Sequence, residues 1–362
     1  MSKKLLFIRY TKNAAIENGG EQATNKNFRL LERIWGEGNV ETYAIHDDSK
    51  KHTIADYLKG VLFFPFNYYF GLSPRRVKAI VKKAFDFDAI YIDRSVFGII
   101  AKQLRKKGYK GQIVCFFHNV EVPYFKSKIG RYPFHQVVLH CVDQNDAYCC
   151  RYADKIVCLN QRDADELEKR YGRRPDACIP ITFKDALGKE DYSNEMTRTK
   201  PLCLFIGSYF TPNNEGIEWF MKNVYPYVDI QVKIVGKGMN KLRERYTIPA
   251  EAEIISDAPN LRPYFEEADV MVLPIFSGSG MKVKTCESMM YGKNILGTPE
   301  AFEGYDMNYS MAGGCCQTAE EFIAALKDLS ERPRPRFNSY TRQTYLEKYT
   351  EDAVLEQYKG LF

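Results

Sequence analysis

The chain has 362 residues, of which 45% are hydrophobic, so length alone favours two domains of about 150 to 200 residues each. Its formal net charge of +6 is unevenly distributed, because residues 1–190 hold 33 Lys and Arg against 22 Asp and Glu. The remaining residues are acidic on balance, so we expect the first half to face an anionic partner.

Cysteine spacing and the N-terminus indicate a cytoplasmic protein. The ten cysteines include no CxxC pair, which favours free, buried thiols in a reducing compartment over a disulfide or zinc framework. The opening sequence MSKKLLFIRY has too few apolar residues for a secretory signal, and no apolar run approaches the length that spans a bilayer. The expected location is the cytoplasm, with the inner face of the membrane as a candidate surface.

The chain opens with the pattern of a doubly wound α/β domain. Residues 5–8 form an apolar run of buried-strand type, followed by a predicted loop over residues 10–21 and then a helix. The loop contains Gly19 and Gly20, and two adjacent glycines allow backbone to approach a ligand closely. A flexible turn without a ligand is the alternative.

An aromatic stretch and a basic helix follow. Residues 58–72, LKGVLFFPFNYYFGL, precede five basic residues on a predicted helix, Arg75, Arg76, Lys78, Lys82 and Lys83. This combination suits the interface of an anionic membrane, where each basic side chain adds about 1 kcal/mol. The alternative is a core helix with an ordinary solvated face.

A candidate active-site histidine ends a strand of the first domain. The predicted strand over residues 113–117 runs into His118 and Asn119, and ligands of open α/β sheets bind at the carboxyl ends of the strands. A structural histidine is the alternative.

The strand and helix alternation breaks once and then restarts. Residues 185–200 are polar without a period and predict a linker, and a second doubly wound domain begins at Pro201. We therefore predict an N-terminal domain over residues 1–184 and a C-terminal domain over residues 201–344. The amphipathic tail, residues 345–362, is predicted to pack back on the first domain.

The stretch from Pro274 to Thr298 predicts an anion site. A strand ends at Pro274, a loop of small residues spans 277–280, and a helix is predicted over residues 281–291. Exposed N–H groups and the dipole at a helix start favour negative charge. Lys284 and Glu287 share one face of this helix, as a lysine for phosphate and a carboxylate for ribose hydroxyls. A solvated pair within the helix is the alternative.

No metal site is predicted. Asp86 and Asp88 precede a strand, and Asp163 and Asp165 lie in the first turn of a helix that Asn160 can cap, so we interpret both Asp-x-Asp patterns as structural.

Six stretches together resemble the GT-B glycosyltransferases, specifically family 4, over most of the chain. They are Gly19-Gly20, HNVE from His118, FIGSYFTPNNEGIEWF from Phe205, VKIVGKG from Val232, DAPNLRPYFEEADVMVLP from Asp257 and SGSGMKVKTCESMMYGKNILGT from Ser277. The resemblance implies two Rossmann-like doubly wound domains that face a cleft, with the C-terminal helix crossing back to the first domain. It also implies a sugar-nucleotide donor on the second domain and an acceptor on the first.

The resemblance implies roles for individual residues. Lys284 would neutralise the diphosphate, Glu287 would accept from the ribose, and His118 would contact the transferred sugar, which makes these three the candidate catalytic residues. The expected donor-binding residues are Gly207, Ser208, Gly236, Ser279, Gly280, Lys284 and Glu287. Gly19, Gly20 and Asn119 are expected to contact the acceptor or a phosphate.

The chain departs from the family pattern twice. Ser279 stands where the family often has a second glutamate, and residues 208–216 lack the basic residues often found after the first strand of the donor domain. Lys284 would then bear more of the diphosphate. Lys282 is the weaker candidate, since it points nearly opposite to Lys284 on a helix.

The leading hypothesis is a retaining glycosyltransferase that needs no metal or other cofactor. Its expected partners are a nucleotide sugar and a glycan or lipid-linked glycan acceptor in envelope polysaccharide synthesis, with an anionic membrane surface as a further candidate and no nucleic acid. The alternatives are a non-catalytic sugar-nucleotide-binding partner of another transferase and a nucleotide-sugar isomerase of the same architecture.

Overall fold

The computed structural model of the protein describes residues 3–11, 19–46, 61–129, 135–188 and 200–362. The chain divides into two compact units, of which the first comprises Met1–Pro180 and Val354–Phe362 and the second Ile181–Ala353. Each unit holds a six-stranded sheet whose paired strands are parallel. The predicted α/β class with two Rossmann-like domains is confirmed.

The first unit alternates strands and helices along the chain. Its strands are β1 (Leu5–Thr11), β2 (Val40–His46), β3 (Ala89–Ile92), β4 (Gln112–Phe116), β5 (Lys155–Cys158) and β6 (Ala177–Cys178). Its helices are α1 (Gly19–Trp35), α2 (Pro74–Ala84), α3 (Gly98–Lys106), α4 (Glu121–Ile129), α5 (His135–Tyr152) and α6 (Gln161–Tyr171). The strand order in the sheet is β2-β1-β3-β4-β5-β6.

The second unit repeats this alternation. Its strands are β7 (Leu202–Ile206), β8 (Gln231–Gly236), β9 (Glu253–Ser256), β10 (Val270–Leu273), β11 (Asn294–Gly297) and β12 (Gly313–Cys315), in the order β12-β11-β10-β7-β8-β9. Its helices are α7 (Thr211–Asn223), α8 (Leu242–Arg245), α9 (Arg262–Glu267), α10 (Val283–Met290), α11 (Tyr309–Ala312), α12 (Ala319–Glu331) and α13 (Ser339–Lys348). A last helix, α14 (Glu351–Lys359), contains the boundary between the units.

Apolar runs explain the central strands of both sheets. Every residue of β7, LCLFI, and of β10, VMVL, is buried. Continuous apolar runs of this kind are typical of parallel strands that helices cover on both faces. The start of α6 follows local capping, since the predicted cap Asn160 accepts a hydrogen bond from Asp163 N at 2.8 Å.

The prediction for Gly19 and Gly20 is wrong in one respect. Both glycines lie in the first turn of α1 and not in a loop. The apolar periodicity begins only further along the helix, so the sequence pattern hid its first turn, which Glu21 favours through the helix dipole. Residues 12–18 of the predicted loop lie outside the described residues. The helix predicted over residues 281–291 is also shorter, since α10 spans Val283–Met290.

The linker and the tail differ from the sequence prediction as well. The first unit ends at Pro180, and Asp185, predicted to begin the linker, accepts two hydrogen bonds from Arg342 at 2.8 and 2.6 Å within the second unit. Residues 189–199 lie outside the described residues. Residues 345–353 also belong to the second unit, where Tyr345 donates to Phe183 O, so only Val354–Phe362 belong to the first.

Candidate functional site

Three loops of the second unit follow the carboxyl ends of neighbouring strands. Residues 207–210 follow β7, residues 237–238 follow β8, and residues 274–282 follow β10. Carboxyl ends of parallel strands share one edge of a sheet, and α/β proteins bind ligands there. The predicted donor-binding residues all lie at this edge or on α10, which follows it, namely Gly207, Ser208, Gly236, Ser279, Gly280, Lys284 and Glu287.

Two of these glycines allow backbone segments to approach closely. A Cβ atom on Gly236 would lie 2.0 Å from Gly207 O, and one on Gly207 would lie 3.0 Å from Lys284 Nζ. Backbone hydrogen bonds from Gly207 N to Val235 O and from Tyr209 N to Lys237 O hold the first two loops together. A side chain at either glycine would displace the loop or the lysine.

Two contacts hold the side-chain nitrogen of Lys284. Its Nζ donates to Asn213 Oδ1 at 2.6 Å and lies 4.5 Å from the centroid of the Phe205 ring. Asn213 in turn donates to Ser208 O at 2.8 Å, so the amide orients the lysine toward the loop after β7. Burial, with a smaller effect of Lys282, lowers the pKa of Lys284 to about 7, and Glu287 only partly opposes this.

Glu287 lies one turn further along α10 and is partly buried. Burial raises its pKa to about 7, against the opposing charge of Lys284. In the part of the chain that the structure describes, its carboxylate accepts no hydrogen bond and forms no ion pair with Lys284. The solvated intrahelical pair that the spacing also allowed is therefore not formed, and the carboxylate has acceptor capacity left for a ligand.

The small-residue loop is fixed from one side. Gly280 has a φ of 60°, in the left-handed region that favours glycine. Lys282 Nζ donates to Gly280 O at 3.0 Å and to Glu300 Oε1 at 2.6 Å, so it fastens the loop. No side chain of the described residues caps the start of α10, and Ser279 beside it is partly exposed. The N-terminus of α10 is thus open to an anion.

A second arrangement of polar groups lies at the carboxyl ends of β3 and β4 in the first unit. His118 is buried, and its Nε2 lies 3.2 Å from Oδ2 of Asp93, which directly follows β3. Burial lowers the pKa of His118, and Asp93 opposes this only in part. Burial acts to raise the pKa of Asp93, but contacts with His118, Thr24 and Asn27 lower it below its usual value. A neutral imidazole therefore donates from Nε2 to a carboxylate and keeps Nδ1 as an acceptor.

Helix α1 and the C-terminal segment complete this arrangement. Thr24 Oγ1 and Asn27 Nδ2 donate to the two oxygens of Asp93. Tyr358 donates to Asn27 Oδ1 and accepts from the buried Lys26 Nζ at 3.1 Å. The structure thus links His118 to the helix that begins with Gly19 and Gly20, and through it to α14. Asn119, the remaining predicted residue here, is partly buried beside His118.

Sequence reasoning missed Asn213 in the second unit and Asp93 with its partners on α1 and α14 in the first. Asn213 carries no signal, because its contact with Lys284 joins positions 71 apart in sequence. Asp93 did carry one, since it directly follows the buried run AIYI, as His118 follows the end of its own strand. The rule that pointed to His118 would have found Asp93 too.

The Asp-x-Asp patterns have structural surroundings. Asp88 Oδ2 accepts from Lys4 N at 2.8 Å, and Asp163 lies in the capped first turn of α6. Within the described ranges, no three His, Cys, Asp or Glu side chains are grouped so that they could hold a metal ion. The same ranges contain no helix long and apolar enough to cross a membrane.

Two Rossmann-like units with ligand edges of this kind have the architecture of the GT-B glycosyltransferases. Residues 200–332, which lie in the second unit, match the family described as "Glycosyl transferases group 1".

Several solved structures superpose on almost the whole chain. Sucrose-phosphate synthase from Thermosynechococcus elongatus superposes with a TM-score of 0.71 at 14% identity, covering 99% of this chain and 98% of that one. HepE from Anabaena in complex with UDP superposes with a TM-score of 0.67 at 11% identity, again covering 99% and 98%. HepE has also been solved in complex with UDP-glucose. At these identities the likeness establishes the GT-B fold.

One curated relative matches by sequence. It is an uncharacterized 44.6 kDa protein in the cps region of Klebsiella pneumoniae, 22% identical over 277 residues. The match covers 66% of this chain and 66% of the relative, just under two thirds of its length.

Proposed function

We propose that the protein is a retaining glycosyltransferase of family 4. It transfers a sugar from a nucleotide sugar to a glycan or lipid-linked glycan acceptor in envelope polysaccharide synthesis. One observation carries the donor assignment: Lys284 and Glu287 lie a turn apart at the ligand edge, both partly buried, and the described residues show no ion pair between them. The group 1 domain over residues 200–332 and the relative in a cps region support it.

The donor would bind through the second unit. The ammonium of Lys284, the open start of α10 and the backbone of Ser279 and Gly280 would hold the diphosphate. Glu287 would accept hydrogen bonds from the ribose. The floor of the donor site would be formed by Gly207, Ser208 and Gly236, since Gly207 approaches Lys284 and Gly236 packs on Gly207. The HepE complexes make uridine nucleotides the first donors to test.

Catalysis would consist of stabilising the leaving diphosphate. Negative charge grows on the β-phosphate as the sugar becomes oxocarbenium-like, and a fixed lysine and helix N–H groups can stabilise that charge. His118, with Nδ1 as acceptor, would position a hydroxyl of the transferred sugar. The leaving phosphate would assist deprotonation of the acceptor hydroxyl on the same face, which gives retention without a dedicated protein base or a metal ion.

Nucleotide release tests this function. The protein is incubated with UDP-, GDP- and ADP-sugars and an envelope extract, with and without EDTA, and nucleoside diphosphate and the anomeric configuration of the product are measured. We expect release with one donor, a retained configuration, no effect of EDTA, and loss of release with Glu287→Ala or His118→Ala. Release that survives Glu287→Ala would overturn the donor site. Binding without turnover would favour the non-catalytic partner, and conversion of the donor without release would favour the isomerase.

We also propose that the first unit binds the inner face of an anionic membrane. Helix α2 buries Val77, Ile80 and Val81 and exposes Arg75, Lys78 and Lys82, and in the segment before it Leu62 and Phe66 are 68% and 67% exposed. Exposed apolar side chains next to basic ones suit a lipid interface.

Vesicle sedimentation tests the membrane proposal. Binding to vesicles with anionic lipid should weaken with salt and fall when Arg75, Lys78 and Lys82 are changed to Gln. Leu346→Ser, an exposed apolar position of the second unit, is the control. Binding that is insensitive to salt would argue against the basic surface.

A further inference from the structure

Arg94 lies at the ligand edge of the first unit and has no role in the arrangement around His118. It follows Asp93 at the carboxyl end of β3, which lies between β1 and β4 in the sheet. The register pairs Ile8 with Ile92, and side chains alternate along strands. Arg94 and Tyr10, each two residues further along, therefore share the face opposite to Asp93.

The guanidinium of Arg94 is left without a polar partner. In the described chain it makes no hydrogen bond and no ion pair, and its Nε is completely buried. Its Cζ lies over the ring of Tyr10, 6.0 Å from the centroid. A guanidinium stays charged at any physiological pH and carries five donors, and the terminal nitrogens of Arg94, unlike Nε, are not fully buried, so they are available to an anion.

Other arginines of comparable burial show what is missing at Arg94. Arg342 donates to Asp185 and to Met290 O, and Arg105 donates to Tyr109 O and Gly111 O. Arg94, in contrast, makes no hydrogen bond or ion pair within the described residues. No group of the described residues therefore pairs with the charge of Arg94.

The charge of Arg94 acts on the candidate active histidine. After burial and Asp93, the Arg94 charge is the next influence on the pKa of His118, which it lowers. It also acts on the phenol of Tyr69, whose pKa burial and Glu121 raise. The acids in this neighbourhood are engaged elsewhere or too distant for an ion pair with Arg94, since Asp93 binds His118, Thr24 and Asn27.

We propose that Arg94 binds an oxyanion, a carboxylate or a phosphate, of the acceptor. The planar fork of a guanidinium binds both groups through two parallel hydrogen bonds, and Tyr10 supports its flat face. The acceptor is then an acidic saccharide or one that carries a phosphate. That the bound anion belongs to a sugar acceptor rests on the proposed transferase function, whereas binding of an anion at Arg94 does not.

Direct binding to the full chain, without nucleotide, tests the site. Methyl β-glucuronoside, glucose 1-phosphate and the neutral methyl β-glucoside are titrated and followed by saturation-transfer NMR and calorimetry. Phosphate can also bind at Lys284, so the titrations are repeated with Lys284→Gln. We expect at least one acidic probe to bind at least about 10-fold more tightly than the neutral one, and the two acidic probes tell carboxylate from phosphate.

Variants assign the binding to Arg94. Arg94→Gln should weaken the acidic probes about 10-fold or more without changing the neutral one, and Arg94→Lys should retain part of the affinity. Arg151→Gln is the matched control, since Arg151 also lies over a tyrosine ring, at 5.6 Å, but is exposed at the end of α5. Melting temperatures verify that each variant folds.

Three results would overturn the proposal: no binding of either acidic probe, equal binding of acidic and neutral probes, or equal loss with Arg151→Gln. Arg94-dependent binding in a protein that releases no nucleotide would keep the anion site and reject the transferase function. Wild type and Arg94→Gln could instead both release nucleotide and use acidic and neutral acceptors equally. That result would keep the transferase function and reject the anion site.

Discussion

The Asp93 network of the first unit and the charged groups Lys284 and Glu287 of the second unit are held in opposite ways. In the first unit, Asp93 is fully buried, and His118, Thr24 and Asn27 all contact its carboxylate. In the second unit, burial brings the pKa values of Lys284 and Glu287 to about 7, and among the described residues only the lysine has a hydrogen-bond partner.

This difference indicates that one set of residues positions a side chain and the other binds a ligand. A satisfied buried network holds one side chain in one orientation, as the Asp93 network does for His118. Partly buried charges without partners cost stability and recover it when a ligand arrives. Changes in the Asp93 network should therefore reduce stability, and changes at Lys284 or Glu287 should reduce ligand affinity.

The largest expected effect is on stability, at Asp93. Asp93→Asn places an amide group among three donors, so at least one buried donor loses its acceptor. We expect the free energy of unfolding to fall by about 3 kcal/mol, measured by urea denaturation monitored by circular dichroism. Glu287→Gln is the matched amide substitution in the second unit, and an equal loss of stability in this variant would contradict the difference between the two sites.

At the second edge, Asn213→Ala should weaken nucleoside diphosphate binding about 5- to 10-fold. The variant frees Lys284 from the hydrogen bond that orients it, which is a loss of about 1 kcal/mol. Calorimetric titration with UDP, GDP and ADP measures the change. Asn223→Ala, at the far end of the same helix, removes a comparable amide contact with Trp219 O and should leave affinity unchanged.

Lys284 and Glu287 also predict how diphosphate affinity depends on pH. As pH rises above about 7, the lysine loses its proton and affinity should fall, by up to about 10-fold per pH unit. As pH falls below about 7, the carboxylate is protonated and the ribose contact weakens, so affinity should also fall.

The variants separate the two limbs of this profile. Lys284→Arg keeps its charge at all these pH values and should remove the alkaline limb, whereas Glu287→Gln should remove the acidic limb. An unchanged alkaline limb in Lys284→Arg would show that another group titrates. Calorimetry in buffers of different ionisation enthalpy should also record uptake of up to about one proton at pH 8 in the wild type.

The smallest expected effect is at Tyr358, in the C-terminal segment. Tyr358→Phe removes the hydroxyl that binds Asn27 and Lys26, so stability should fall by about 1 kcal/mol. If the network positions His118, the chemical shifts of the His118 ring should also move in this variant. Stability loss with an unperturbed imidazole would limit Tyr358 to a structural role.

Much of the fold could be predicted from local patterns. Apolar runs marked the strands, and the strand-end rule located His118 and the loop before α10. The spacing of Lys284 and Glu287 placed both on one helix face. These features depend on neighbours in sequence.

The remaining features depend on contacts between distant segments. Asn213 meets Lys284 across 71 positions, and Thr24 meets Asp93 across 69. The lack of a partner for Arg94 becomes visible only when every nearby acceptor has been located. Likewise, the pKa values near 7 arise from burial, which no residue pattern encodes.

Binding of a nucleoside diphosphate to wild type and to Glu287→Gln tests the central claim most directly. The claim is that the second edge is the donor site, with Lys284 on phosphate and Glu287 on ribose. By calorimetry at pH 7.5, one of UDP, GDP and ADP should bind the wild type. Glu287→Gln should bind it about 10- to 100-fold more weakly while unfolding at the same or a higher urea concentration, because the buried charge is removed. Equal affinity of the two proteins for the diphosphate would contradict the assignment.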